Sequence, residues 1–293
     1  MLRRFELHQP NSVAAASALL AQHGEEARLY AGGTELLLVM KEGLLRPRHL
    51  VDLKTIPGIC DITANGGGGV LHLGAGATHR AIEHSPLVRE QFPALARLEH
   101  HVANVRVRAS GTLGGNLCFA EPHADPGTLL LAYDAVAHLQ RDGGARSLPL
   151  EEFFVGPFEV ALEPDEVLTS VEVPPLPPAG RAAYLKFGML ERPSVGVAAA
   201  ATLSADGAGV EDVRLAVGCV GPRPLRVREA ESTLRGLPVE EARAKLDQAG
   251  EQAAAAAGAI SDLHGSADYK RHLVKVLLRR AFETALDGTR EEA

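Results

Sequence analysis

The feature that most constrains this chain is a glycine-rich run in its first half. Gly111-Thr112-Leu113-Gly114-Gly115-Asn116 places three glycines within five residues, together with a threonine and an asparagine. Glycine permits φ > 0 and lets a ligand approach the backbone closely, while Thr and Asn side chains hold such a loop and offer hydrogen bonds outward. The run predicts a ligand-binding loop, and a bulged hairpin is the alternative that stays open.

A second run with the same chemistry lies nearly eighty residues earlier. It is Ala31-Gly32-Gly33-Thr34-Glu35, after a predicted strand over 27–30 and before a predicted helix over 35–41. Backbone N–H groups at a helix start, preceded by glycines, suit a phosphate. A tight turn with a Thr cap is the open alternative here. Two such runs in one chain predict a ligand with a pyrophosphate and an extended body, such as a dinucleotide.

Other nucleotide and catalytic motifs are missing from the sequence. Gly74 and Gly76 are followed by Thr78-His79 without a third glycine, and no Gly-Lys-Ser/Thr occurs. Ser110 is not enclosed by Gly-x-Ser-x-Gly. No nucleophile–base arrangement is indicated, so the sequence predicts no catalytic residue.

Composition narrows the class of protein. Hydrophobic residues are 46% and charged residues 23%, which is ordinary for a globular protein, and the net charge of −7 favours neither nucleic acid nor an anionic membrane. No apolar run approaches the roughly 20 residues needed to span a bilayer. The basic start MLRRFELHQP is not followed by an apolar stretch, so no signal peptide is predicted and a cytoplasmic location is expected.

The metal-binding residue types are not grouped in the sequence. Cys60, Cys118 and Cys219 are widely spaced, which predicts neither a disulfide framework nor a zinc ribbon, and no local motif for a cysteine-ligated iron–sulfur cluster. The 12 histidines do not form metal-ligand spacings. We therefore predict no metal site on this chain.

The hydrophobic periodicity of the sequence, and the glycines and prolines that interrupt it, predict that the chain has three structural parts. Residues 1–57 alternate strand, helix, strand, helix, strand, as in a small parallel unit. Residues 58–176 predict a mainly antiparallel sheet with helices at its side, including a hairpin that turns at the four glycines 66–69. A proline-rich linker begins at Pro174, and residues 177–293 predict a three-stranded meander followed by helices.

The ordered set of motifs resembles the FAD-binding medium subunit of molybdenum hydroxylases, the family of xanthine dehydrogenase-type and aerobic carbon monoxide dehydrogenase-type complexes. The motifs are Ala31–Thr34, His49–Leu53, Gly74-Ala75, Thr112–Asn116, Pro164–Leu168, Tyr184-x-Lys186 and Tyr269-Lys270-Arg271. The resemblance implies an α+β fold. It consists of a two-lobed FAD-binding domain of the p-cresol methylhydroxylase type, then a C-terminal domain with a three-stranded antiparallel sheet and a helical bundle.

The resemblance also implies which residues hold the cofactor. One wall, along the FAD pyrophosphate, would be Ala31, Gly32, Gly33, Thr34 and Glu35. The second wall, near the phosphate and the ribityl chain, would be Thr112, Leu113, Gly114, Gly115 and Asn116. These assignments agree with the need of two phosphates for several close N–H donors.

Three further positions are implied, each with an open alternative. Asp125 would accept from ribityl hydroxyls, or else cap the helix that begins at Pro126. The backbone of Leu168 would meet the flavin edge, or Leu168 is an ordinary strand residue. Lys186 would lie near the isoalloxazine and stabilise reduced, anionic flavin, or it is a surface lysine.

The function implied is electron transfer within a complex. An iron–sulfur small subunit and a molybdenum-binding large subunit would be the partners, and FAD on this chain would pass electrons to an external acceptor. Two alternatives from other classes stay open: a self-contained flavin-dependent oxidoreductase of related fold, and a non-catalytic nucleotide-binding or scaffold protein.

Overall fold

The structure is a computed structural model that describes residues 2–65, 69–188 and 192–288. The chain divides into two compact units. The first unit contains Met1–Phe119 and Val136–Val173, and the second contains Ala120–Ala135 and Pro174–Ala293. Within the described ranges, no helix is long and apolar enough to cross a membrane.

The strands are β1 Glu6–His8, β2 Ala27–Tyr30, β3 His49–Asp52, β4 Ile62–Ala64, β5 Leu71–Gly74, β6 Val136–Arg141, β7 Gly144–Pro149, β8 Phe154–Gly156, β9 Glu159–Val160, β10 Val167–Val173, β11 Gly180–Phe187, β12 Val195–Leu203, β13 Val210–Gly218 and β14 Leu225–Arg226. The helices are α1 Val13–His23, α2 Leu36–Lys41, α3 His79–His84, α4 Pro86–Gln91, α5 Pro93–His100, α6 Val105–Ser110, α7 Leu113–Phe119, α8 Pro126–Ala132, α9 Leu150–Phe153, α10 Arg228–Leu234, α11 Val239–Ala244, α12 Leu246–Ala256 and α13 Ala267–Asp287.

The first unit begins with a three-stranded parallel sheet in the order β1-β3-β2, which confirms the predicted alternation of strands and helices. Helix α1 starts where Ser12 Oγ accepts from the Ala15 N–H at 3.2 Å, and it stops at Gly24, whose φ of 51° suits glycine. Because the strands are parallel, the carboxyl ends of β2 and β3 lie at the same edge, and the segment 31–35 leaves from that edge.

The remainder of the first unit is built on a five-stranded antiparallel sheet, in the order β4-β5-β10-β6-β7. This confirms the prediction of a mainly antiparallel sheet. Its buried side chains include Leu71 and Leu73 of β5 and Val171 of β10, which alternate with less buried neighbours as the pleat requires. The pairing of β4 with β5 confirms the predicted hairpin, while most of its four-glycine turn, residues 66–68, lies outside the described residues.

The glycine run in the middle of the chain is not the loop that the sequence predicts. Leu113 begins α7, so Gly114, Gly115 and Asn116 are helical, and the alternative of a bulged hairpin is also wrong. A Cβ on Gly114 would lie 2.6 Å from the Ala75 Cβ, and the Gly114 N–H donates to the Ala75 carbonyl at 2.9 Å. The first turn of α7 therefore packs directly on backbone, which only glycine allows.

The second unit has a four-stranded antiparallel sheet in the order β11-β12-β13-β14. The predicted meander of three strands is present, and β14 adds a short fourth strand through Ala216 and Arg226. Helix α13 packs on β11 and β12, and β12 is buried along almost its whole length because a helix covers it. Among the helices predicted after the meander, α11 and α12 are separated by Lys245.

Residues 120–135, which include α8, belong to the second unit although they lie within the predicted middle part, 58–176. Helix α8 is almost wholly apolar and packs on β12 and β13 of that unit. The division into parts 1–57, 58–176 and 177–293 itself stays a prediction.

Candidate functional site

The first glycine segment, 31–35, is fixed in place by Lys54. The Lys54 ammonium donates to the Ala31 carbonyl at 2.9 Å and to Asp52 Oδ1 at 2.7 Å, and it lies 3.9 Å from the centre of the Tyr30 ring. Gly33 has φ +70°, and a Cβ there would lie against the Tyr30 ring and 3.3 Å from Leu37 Cγ. The role of Lys54 is not predictable from the sequence, because its contact with Ala31 spans 23 residues and leaves no local pattern.

Helix α2 follows this segment without a threonine cap. Its N-cap residue is Glu35, no side-chain cap hydrogen bond forms, and the Leu37 N–H bonds to the Gly33 carbonyl at 3.0 Å. The alternative of a Thr34 cap is therefore wrong. Residues 31–35 are all partly exposed, so the segment is open to a ligand along its length.

The structure brings the two glycine runs together. A Cβ on Gly32 would collide with the Ser110 carbonyl and would lie 2.7 Å from the Gly111 Cα. A Cβ on Gly111 would lie 3.4 Å from Thr34 Oγ1. Gly32 and Gly111 are thus glycines because two backbone segments touch, and this contact joins the two predicted walls within one unit.

The start of α7 divides the second run into core residues and accessible residues. Thr112 Oγ1 caps the helix by accepting from the Gly115 N–H at 3.0 Å, and the Leu113 N–H donates to the Ala77 carbonyl at 2.9 Å. Thr112, Leu113 and Gly114 are buried. Gly115 is exposed and Asn116 half-buried, so these two residues are the part of the run that a ligand can reach.

Two observations show that this place fits a polar cofactor. Asn116 Oδ1 is buried and has no hydrogen-bond partner in the described part of the chain, which is unfavourable unless a ligand or water supplies a donor. A Cβ on Gly115 would come near one protein atom only, Thr112 Oγ1 at 2.8 Å, so the glycine faces open space rather than packed core. A ligand with hydroxyl groups next to a phosphate would supply the donor that Asn116 Oδ1 lacks and would occupy the open space at Gly115.

Leu168 lies in the core of the first unit. Its side chain is 2% exposed, and it pairs with Leu139 in the ladder between β10 and β6. The ladder shifts register just after it, and the next carbonyl, that of Thr169, accepts from the Ala75 N–H at 2.9 Å. A ligand contact of Leu168 would therefore involve its backbone, as predicted, and that contact stays a prediction.

Asp125 and Lys186 meet in the second unit. Asp125 is buried, its Oδ2 accepts from the Lys186 ammonium at 2.9 Å, and its Oδ1 accepts from the Tyr184 hydroxyl at 2.6 Å. Asp125 makes no side-chain cap to α8, and Lys186 is ion-paired, so the helix-cap and surface-lysine alternatives are both wrong. Burial, and then the charge of Asp125, raises the pKa of Tyr184 well above its usual value, which keeps the phenol a donor.

The thiols of Cys118 and Cys219 are not activated. Burial raises the pKa of Cys118, in α7, to about 12. Burial and then the charge of Asp125 raise the pKa of Cys219 well above its usual value. Because the thiolate is the reactive form, neither cysteine is a nucleophile at neutral pH.

Three histidines that show no metal-ligand spacing in the sequence come together in the structure, and the absence of a metal site on this chain stays a prediction. His8, His23 and His49 each offer one ring nitrogen, and these three atoms all lie within 4.8 Å of one another. They come from three different elements, so no spacing in the sequence could reveal them.

Comparisons with known proteins agree on one family. Residues 3–176 match the family model described as the FAD binding domain in molybdopterin dehydrogenase, and residues 193–285 match that of the CO dehydrogenase flavoprotein C-terminal domain. The chain is 34% identical to the carbon monoxide dehydrogenase medium chain of Hydrogenophaga pseudoflava, over 96% of this chain and 97% of that one. It is also 34% identical to the nicotine 6-hydroxylase medium subunit of Paenarthrobacter nicotinovorans, over 94% and 95% of the two chains. A solved structure of the carbon monoxide dehydrogenase from H. pseudoflava is similar with a TM-score of 0.92, 33% identity and coverage of 98% and 99%.

Proposed function

Because the chain belongs to the family of FAD-binding medium subunits of molybdenum hydroxylases, we propose that it holds FAD on the two segments 31–35 and 112–116. The observation that carries this assignment is the orphaned Asn116 Oδ1 beside the exposed Gly115, in the unit where Gly32 touches Gly111. A buried acceptor without a donor, next to backbone that a side chain would block, is what a cofactor with hydroxyl and phosphate groups requires.

The residues of the site have separable roles. The backbone N–H groups of the segment 31–35 are the donors for phosphate oxygens, and Lys54 keeps that segment in place through the Ala31 carbonyl. Asn116 Oδ1 accepts a hydrogen bond from a hydroxyl group of the cofactor. Leu113 and Gly114 form the floor against the Ala75 backbone rather than the binding surface. FAD, when bound, supplies reversible electron transfer.

Asp125, Leu168 and Lys186 are the remaining residues for which the resemblance implies a contact with the flavin. Each Asp125 carboxylate oxygen already accepts a hydrogen bond within the protein, so we infer that Asp125 holds Tyr184 and Lys186 in position. Lys186 retains the positive charge that would favour reduced flavin. The backbone of Leu168 keeps its predicted contact with the flavin edge.

The chain is the electron-transfer FAD subunit of a multi-subunit oxidoreductase complex. We infer that its partners are an iron–sulfur small subunit and a molybdenum-binding large subunit. The sequence supports this, because its three cysteines are widely spaced and form no local motif for a cysteine-ligated iron–sulfur cluster. An external acceptor takes the electrons, and a cytoplasmic location stays a prediction.

The test is co-expression with the neighbouring coding sequences, followed by size-exclusion chromatography and flavin analysis. We expect this chain to co-elute with a cluster-bearing chain and a molybdenum-bearing chain. The chain expressed alone is the control, and it should bind FAD without oxidising an organic substrate. A chain that elutes alone from the co-expression, or that turns over an organic substrate unaided, would instead support a self-contained flavoenzyme.

A further inference from the structure

Three histidines and a glutamate meet at one edge of the parallel sheet of the first unit. His8 Nε2 lies 3.0 Å from His49 Nδ1, and Glu6 Oε2 lies 3.6 Å from that Nδ1 and 3.9 Å from His8 Nε2. The ring of His23 stacks on that of His49, with centres 3.8 Å apart. We call Glu6, His8, His23 and His49 the histidine cluster.

The fold explains why these four side chains converge. Glu6 pairs with His49 across β1 and β3, and His8 is two residues further along β1, so all three point to one face of the sheet. His23 is the last residue of α1, which packs on the same sheet. The cluster is therefore fixed by secondary structure, not by a loop.

The separations match the coordination sphere of a small metal ion. Ligand atoms bound to one tetrahedral zinc at about 2.0–2.2 Å lie roughly 3.3 Å from each other. The measured separations of 3.0, 3.6 and 3.9 Å bracket that value. Imidazole nitrogens with one carboxylate oxygen are ligands that suit zinc.

The side chains of the histidine cluster are partly buried. A metal site of this kind must be accessible to an ion from solvent and still hold its ligands in place. The side chains of His8 and His49 are each 17% exposed, and that of Glu6 is 66% exposed. An ion can enter from solvent, yet the two imidazoles are held by their surroundings. Glu6 is free to swing onto the ion as the fourth ligand.

We propose that Glu6, His8, His23 and His49 bind one divalent zinc ion, which ties β1 and α1 to β3. The ion lies between His8 Nε2 and His49 Nδ1, and the proton of their hydrogen bond moves to the other nitrogen of its own ring, so both imidazoles stay neutral. The His23 ring turns from its stacked position to offer a nitrogen. Side-chain rotation of this kind at a partly exposed residue is fast.

The histidine cluster is distinct from the flavin site. His49 is the first residue of β3, whereas Asp52 is its last residue and is bonded to Lys54, which holds the segment 31–35. At about 3.3 Å per residue, the length of the strand separates the two places. Loss of zinc should leave the FAD content unchanged.

Isothermal titration of the full-length, metal-free chain with zinc chloride tests the proposal. We expect one zinc per chain, and at least about tenfold weaker binding in His8→Gln and His49→Gln, since even outer-shell changes cost 10–100-fold. Titration with cobalt(II) should give the intense visible bands of a tetrahedral ion. The matched control is His272→Gln, an exposed histidine on α13, which should bind zinc as the wild type does.

A second measurement needs no variant, in case the substitutions affect folding. Zinc should protect His8, His23 and His49 of the wild-type chain from diethyl pyrocarbonate, mapped by mass spectrometry, while His272 remains reactive. Equal modification with and without zinc would overturn the proposal. So would wild-type affinity in His49→Gln, or a pale cobalt spectrum of octahedral type.

Discussion

Gly33 and Gly115 differ in what an added side chain would meet. At Gly33 the φ of +70° and the neighbouring Tyr30 ring make any side chain strained, so substitution would disturb the fold whether or not flavin binds. Gly115 is exposed in α7, and its added Cβ would meet only the hydroxyl of Thr112. Gly115 is therefore the position that separates binding from folding.

We expect Gly115→Ala to retain the fold and to bind FAD at least about tenfold more weakly, because an added methyl group in a packed site costs ~1–3 kcal/mol. Alanine is about 1 kcal/mol better than glycine within a helix, which offsets the small shift that Thr112 Oγ1 must make at 2.8 Å from the added Cβ. Flavin fluorescence titration and circular dichroism are the measurements. Gly144→Ala, at the exposed start of β7 with no contact closer than 3.8 Å, is the control. Unchanged affinity in Gly115→Ala would show that the site is misplaced.

The three cysteines should differ in reactivity according to exposure. Cys60 is exposed, Cys118 is partly buried and Cys219 is buried. Burial, and then the charge of Asp61, raises the pKa of Cys60. The rate of its reaction with a disulfide reagent should therefore rise at a higher pH than that of an ordinary thiol, whose pKa is about 8.5. One thiol should react in the native chain and all three after denaturation, and Cys60→Ser should remove the fast phase. A fast phase that persists in Cys60→Ser would contradict the structure.

Elements of the second unit are joined by a buried ion pair. Arg226 of β14 donates through Nε to Glu231 Oε1 of α10 at 2.6 Å, and through an NH group to the Leu131 carbonyl of α8 at 3.2 Å. The same Glu231 oxygen accepts from the Leu215 N–H of β13 at 2.9 Å. Both side chains are at most 3% exposed, so one pair fastens two helices to the sheet.

Glu231→Gln should destabilise the protein by about 1.5–3 kcal/mol, because it weakens the charged hydrogen bond to the buried Arg226, whose remaining acidic partner is Asp134. Denaturant unfolding followed by circular dichroism measures this. Glu240→Gln removes a surface partner of Arg243 and should change the unfolding free energy by no more than about 1 kcal/mol. Equal effects of the two substitutions would show that burial of the pair is irrelevant.

The elements themselves were largely predictable, and their partners less so. The strands and helices of residues 1–57 follow from periodicity and from the signals at Ser12 and Gly24, which are local. The helical state of Gly114 was not predictable, because its cause is the Ala75 backbone, far away in the sequence. Likewise Lys54, Tyr184 and the histidine cluster act through pairs that only the tertiary fold creates.

At the scale of the whole molecule, carboxylates in both units make the free energy of unfolding depend on pH. Two hydrogen bonds from Arg146, at 2.7 and 2.6 Å, hold the pKa of Glu166 below its usual value. Burial acts to raise the pKa of Asp262, but the hydrogen bond from Lys270 and that from the His264 N–H outweigh it and lower the pKa. In each case the unfolded chain binds the proton more readily. The stabilisation is complete above the unfolded pKa of about 4 and is lost as pH falls through the folded value.

The thermal unfolding midpoint should therefore fall steeply below about pH 5. Glu166→Gln should be less stable than the wild type at pH 7, and the difference should shrink as the pH falls through the folded pKa of Glu166, where the wild-type carboxyl takes up its proton. Glu152→Gln, at an exposed position in α9, should follow the wild-type profile. A difference between Glu166→Gln and the wild type that stays constant with pH would contradict this account.

The most direct test of the central claim, that this chain is the FAD subunit of its complex, is the flavin that acid releases from the purified full-length protein. The account predicts a yellow protein and close to one FAD per chain in the supernatant after acid precipitation, identified by chromatography against FAD and flavin mononucleotide. A colourless protein, flavin mononucleotide in place of FAD, or flavin that remains with the precipitate would contradict it.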